Sequence, residues 1–144
     1  MTWPIYAVLS ALFASLTAIF GKIGVQNIDS NLAVAIRTTV VLVFAWGLVL
    51  LQSGQTPLVL MLGAIPARTW LFLVLSGLAT GGSWLFYYHA LQLGPASRVA
   101  PIDKLSVALT VALAFVLLGE KPTFGSVAGG ALITAGVLVA AFVK

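Results

Sequence analysis

A chain of 144 residues that is 61% hydrophobic and 7% charged, with a mean hydropathy of +1.15, is not a soluble domain, in which about one residue in four is charged. Its formal charge of +4 is spread as single bases between apolar runs; this excludes a nucleic-acid patch and makes the bases topology signals. There is no cysteine, and hence no disulfide framework, thiolate metal site or cysteine nucleophile.

A bilayer core of about 30 Å needs about 20 mostly apolar residues per helix. Runs of that length follow one another here, so the fold class is an all-α integral membrane protein, one bundle of five transmembrane helices over residues 1–144. The first span covers 5–25. The start, Met1-Thr2-Trp3-Pro4, lacks the basic region of a secretory signal, and a removable leader would leave the first run unexplained. The break QNIDSN (26–31) offers Asp29 or Ser30 as N-cap of the second span, 31–52. SGQTP (53–57) interrupts the chain again. LVLMLGAI (58–65), closed by Pro66, is too short to cross and lies in the interface or pads the next helix. The third span, 69–93, contains Gly81-Gly82, where a bend is expected. After the GPAS turn (94–97) comes the fourth span, 96–118; GEKPT (119–123) then supplies a glycine stop and a proline restart for the fifth, 124–143.

Five spans put the termini on opposite sides. Arg68 and Lys121 fall on the side of the N-terminus, and Lys22, Arg98 and Lys144 lie opposite, which favours a cytoplasmic C-terminus. Arg37 and Lys104 add to that bias only if they reach the same face. A bias this weak permits insertion both ways up.

Three helical faces stand out. Ser10, Ala14, Thr17, Gly21 and Gly24 recur at steps of four, three, four and three on the first span, a face of small residues that serves either tight packing or a substrate path. Gly125-x-x-x-Gly129, with Gly136 seven residues further, reads as a seam between helices of one subunit or of two. On the third span Trp84, Tyr87 and Tyr88 gather on one side, with Thr80, His89 and Gln92 nearby. That cluster is either an interfacial aromatic belt or a face for a planar ligand. His89 has no other His or Cys to complete a metal site.

Asp103 and Lys104 are adjacent charges in an apolar run. If their helix starts at Pro101 they occupy its first turn, where an acid suits the positive helix end and a lysine can snorkel. If it starts near Ala96 they lie about 10 Å along it, where charges need partners or water. Neighbours on a helix point about 100° apart, so the two do not neutralise each other in one pocket. The expectation is then an Asp103 contact with Arg37, two turns into the second span, with Lys104 facing a polar cavity. The acids are Asp29, Asp103 and Glu120, none beside a nucleophile and base, so no catalytic residues, cofactor or phosphate loop are expected.

The stretch ALQLGPASRVAPIDKLSVALTVALAFVLLGEKPTFGSVAGGALITAGVLV (90–139) resembles the second half of an EamA-like domain of the drug/metabolite transporter superfamily. The resemblance is carried by Ala90-Leu91 before the GPAS turn, Pro101 inside the helix, Leu118-Gly119-Glu120 with Pro122, the run GALITAGVLV, and Arg37 in the second span. Most members are similar to two fused five-helix halves of opposite orientation, so this likeness implies one half that pairs as an antiparallel homodimer. The substrate path then lies between inverted repeats that rock in alternating access. Small multidrug exporters of the superfamily use a glutamate in their first span to exchange protons for cations, an acid absent here. Gly129 and Gly136 resemble the dimer-forming last helix of those exporters.

The reading that follows is a secondary transporter of a small metabolite or drug in a prokaryotic inner membrane, not an enzyme. Arg37, Asp103 and Lys104 form its polar wall and Trp84, Tyr87 and Tyr88 its aromatic wall; bases outnumber acids at depth, which favours a neutral or anionic substrate. Two alternatives stay open: a subunit of a polyprenyl-linked sugar flippase, with Arg37 and Lys104 facing a lipid phosphate, and a non-transporting membrane assembly protein whose glycine seams serve association alone.

Overall fold

The computed structural model describes residues 3–54 and 56–143. Gln55 of the second break and Lys144, one of the topology-setting bases, lie outside the described residues. The elements are α1 (Trp3–Gly24), α2 (Ser30–Gln52), α3 (Leu58–Gly63), α4 (Ala67–Leu93), α5 (Ala96–Asp103), α6 (Leu105–Leu113), a π-helical turn (Ala114–Leu118) and α7 (Phe124–Phe142). No strand occurs among the described residues.

Among the described residues, five stretches are long and apolar enough to cross a bilayer: Trp3–Gly24, Ser30–Gln52, Ala67–Leu93, Ala96–Leu118 and Phe124–Phe142. The spans read from hydropathy agree with them to within two residues at every end. In hydrocarbon the backbone must satisfy itself, so a long apolar run has little choice but helix. The hydroxyls inside the spans obey the same constraint. Thr38 donates to Val34 O at 2.7 Å, Thr80 to Ser76 O at 2.9 Å and Thr134 to Gly130 O at 2.8 Å, each one turn back along its own helix.

Local chemistry fixes the helix ends. Asp29 caps α2, its carboxylate accepting from Asn31 N at 2.9 Å and Leu32 N at 3.1 Å. Thr123 caps α7 through a reciprocal pair: its Oγ1 accepts from Ser126 N at 3.1 Å, and its own N–H donates to Ser126 Oγ at 2.9 Å. Gly119 ends the π-helical turn at φ 68°, ψ 17°, the left-handed conformation in which glycine is least strained. α4 runs without interruption through Gly81 and Gly82.

The fourth span differs from the single helix expected. It starts at Ala96, which puts Pro101 inside it, and it breaks at Lys104 (ψ −6°) before α6 resumes at Leu105. Pro101 lacks an amide hydrogen and crowds the carbonyl four residues back. The ladder tightens beyond it, with Lys104 N on Pro101 O at 2.9 Å and Val107 N on Lys104 O at 3.0 Å, both three-residue steps.

Contacts divide the chain into two compact units, residues 1–23 with 90–144, and residues 24–89. In the first, α5 and α6 pack on α7, where Gly130 and Val137 are buried; Ala18 and Gly21 are buried on α1. In the second, Ser30, Ala33 and Val34 are buried near the start of α2. Few large side chains are covered: Phe86 is 81% exposed and Phe124 91%. In water such a surface would aggregate, whereas in a bilayer it meets lipid or another subunit.

Candidate functional site

Arg37 stands on α2 two turns from the Asp29 cap, in a helix that carries no other charged residue. Its guanidinium carbon lies 3.9 Å from the centroid of the Trp84 ring and 5.5 Å from that of Tyr88. Trp84, Tyr87 and Tyr88 share a face of α4 because residues three and four apart are helical neighbours. Tyr87 and Tyr88 meet edge to face at 6.2 Å and 64°, an arrangement favoured by the ring quadrupoles. Tyr88 is buried, while Trp84, Tyr87 and Arg37 are half-buried. The second unit therefore holds a cation embedded in aromatic faces, a way to keep a guanidinium out of water without neutralising it. Both the arginine and the aromatic cluster are legible in the sequence; their stacking is not, because 47 positions separate Arg37 from Trp84.

The other expected wall residues lie in the first unit. Lys104 Nζ reaches Asp103 Oδ2 at 3.1 Å, with side chains 53% and 36% exposed respectively. This corrects the expectation that adjacent helical residues point too far apart to pair. The lysine's four-carbon stem reaches back across that angle to its neighbour's carboxylate. Each member of the expected Arg37–Asp103 contact thus has a partner inside its own unit.

A further contact was missed from sequence. Lys22, read as a topology signal, donates from Nζ to Leu91 O and, at 2.9 Å, to Gly94 O. An ammonium at the C-terminal end of α4 meets carbonyls left free by the end of the helix and the negative pole of its dipole. The available signal was a base in the last turn of α1 and a glycine at 94, but their pairing spans 72 residues.

Of the small face on α1, Gly21 is buried and Thr17 half-buried, while Ser10 and Ala14 are exposed. The seam on α7 is open within this chain. A Cβ built at Gly129 or Gly136 would meet nothing within 4 Å, and one at Gly125 only Thr123 Oγ1 at 3.9 Å.

Five apolar spans carrying a cation sheathed in aromatic rings define a polytopic α-helical membrane protein, and sequence comparison makes it a transporter. The chain belongs to the EamA-like transporter family, whose model matches residues 1–142. It is similar to a protein of a Sinorhizobium species described as an uncharacterized transporter in the cobO 3′ region, with 49% identity over 141 residues, covering 97% of this chain and 96% of the relative. No solved structure matches.

Proposed function

We propose that the chain acts as an antiparallel homodimer that moves a small neutral or anionic metabolite across a prokaryotic inner membrane by alternating access. The observation that carries this reading is the placement of Arg37 on Trp84 and Tyr88. A cationic aromatic ligand would have to displace a like charge from those ring faces. An anion or a polar neutral molecule instead gains a cation whose side chain is already ordered. Asp103 and Lys104, paired at a helix interruption in the first unit, add polar groups at a break of the kind that transporter helices use to line a path. The seam of Gly125, Gly129 and Gly136, unoccupied by this chain, suits close approach of a second copy. The α1 stripe of Ser10, Ala14 and Thr17 is a second surface for such an approach.

The test uses the absence of native cysteine. Val143→Cys is expressed, and intact and opened cells are treated with a membrane-impermeant thiol reagent. Labelling of about half the molecules in intact cells is the expected result, since an antiparallel homodimer needs equal numbers of each orientation. Labelling of all or none before the cells are opened excludes that homodimer.

A further inference from the structure

The first unit contains a feature that the transport path does not use. Between α6 with its π-helical turn and α7 runs an apolar groove of about 560 Å³, walled by Val111 and Phe115 on one side and by Val127, Ala131 and Leu138 on the other. It is open along its length: Phe115 is 56% exposed, Val127 53% and Leu138 47%. From Ser126 to Leu138 it follows α7 for about 18 Å at 1.5 Å per residue, close to the roughly 15 Å hydrocarbon depth of one leaflet.

The groove leads to a second, more polar hollow of about 310 Å³, the two sharing Val111, Pro122 and Ser126. Glu120 and Lys121 both line this mouth, with the hydroxyl-bearing Thr110. They lie in the turn between two spans, the level of the membrane surface. Neither charged side chain forms an ion pair or hydrogen bond with another described residue. A cation and an anion thus border one hollow without neutralising each other.

We infer that this groove and mouth form a binding site for one zwitterionic aminophospholipid, with an acyl chain along α6 and α7, the phosphate at Lys121 and the primary ammonium at Glu120. Charge complementarity selects the occupant, because a headgroup of both signs answers both side chains, whereas an anionic lipid such as phosphatidylglycerol leaves Glu120 without a cationic partner. A second copy is a poorer fit. At about 100° per residue, Gly125, Gly129 and Gly136 fall on the side of α7 roughly opposite Val127, Ala131 and Leu138, so a partner on the glycine seam leaves the groove facing lipid. That last step rests on the homodimer reading, whereas the complementarity of groove and mouth does not.

The test is lipid retention by the purified full-length protein in detergent. After delipidation it is incubated with phosphatidylethanolamine or phosphatidylglycerol of identical acyl chains, and native mass spectrometry counts lipids per chain. The expected result is one phosphatidylethanolamine per chain, retained several-fold better than phosphatidylglycerol. Glu120→Gln abolishes that preference; Lys121→Gln lowers retention of both lipids by about fivefold, the effect of one base near the membrane surface. Ala131→Trp fills the groove and abolishes retention. Should this variant fail to fold, the two charge variants on an exposed turn decide alone. Equal retention of both lipids by the unaltered protein, or charge variants that behave like it, overturns the site and leaves only non-specific surface lipid. Lipid counting requires neither transport nor pairing. A protein that inserts one way up yet keeps its preference for phosphatidylethanolamine overturns the homodimer and not the lipid site.

Discussion

Arg37 is the side chain on which the transport reading turns, and its surroundings make a quantitative expectation. A guanidinium 3.9 Å from an indole ring is worth about 0.5–2 kcal/mol, the higher value when desolvated. A double-mutant cycle of Arg37→Gln and Trp84→Ala, followed by chemical unfolding in detergent, should return a coupling in that range. A coupling near zero would mean that the stack contributes nothing to stability. Trp84→Phe should retain part of it, since the smaller ring keeps a weaker quadrupole. Gly119 gives a second expectation at this scale. Its φ of 68° puts a Cβ close to the following carbonyl, so Gly119→Ala should cost about 1–2 kcal/mol. Gly119→Asn should cost less, because asparagine tolerates the left-handed region. Thermal unfolding of the two variants checks both the loss and its order.

Among the elements, α1 and α4 are tied by one lysine. Lys22 satisfies the carbonyls of Leu91 and Gly94, and its replacement by methionine preserves the hydrophobic stem while leaving those acceptors without their charged donor. The expected loss is about 1–3 kcal/mol in an unfolding titration, most of it recovered by Lys22→Arg. A loss no larger than that of an exposed lysine would show the contact to be incidental. The fourth span carries the clearest difference between pattern and structure. Its limits, 96–118, are legible because they follow from hydropathy, a turn at one end and a glycine at the other. Its interior is not. Where a proline-disturbed ladder gives way depends on which neighbours donate to the displaced carbonyls, and that is a property of packing. The Asp103–Lys104 pair lies at the same break.

At the scale of the whole molecule, the main fact is how little apolar surface the chain covers by itself. Its buried hydrophobic residues include Ala18, Leu91 and Val137 in the first unit and Val25, Ala33, Val34 and Tyr88 in the second, a small core for each. Helix association in lipid relies on close packing rather than on escape from water, so in the proposed homodimer the open glycine seam on α7 is where a second copy would gain most. Gly129→Ile with Gly136→Ile should therefore abolish dimers in a cross-linking assay while leaving helical content unchanged, because an added Cβ meets no part of this chain. Dimers that survive the double substitution would move the contact elsewhere. If helicity collapses, the seam serves folding within the chain.

Sequence alone determined the membrane class, the number and limits of the long apolar helices, the α2 cap as Asp29 or Ser30, the Gly119 stop and the family. These are local or compositional properties: hydrocarbon forces helix on any long apolar run, and caps act over three or four residues. It also singled out Arg37, Trp84, Tyr87 and Tyr88 by residue type. Only the tertiary structure decided that Arg37 lies on Trp84, that Lys22 caps α4, and that Glu120 and Lys121 border one hollow at the end of an apolar groove. The stacking and the cap join positions dozens of residues apart, and the hollow depends on how α6 and α7 pack; helical periodicity fixes which face a side chain occupies but not which other helix that face meets.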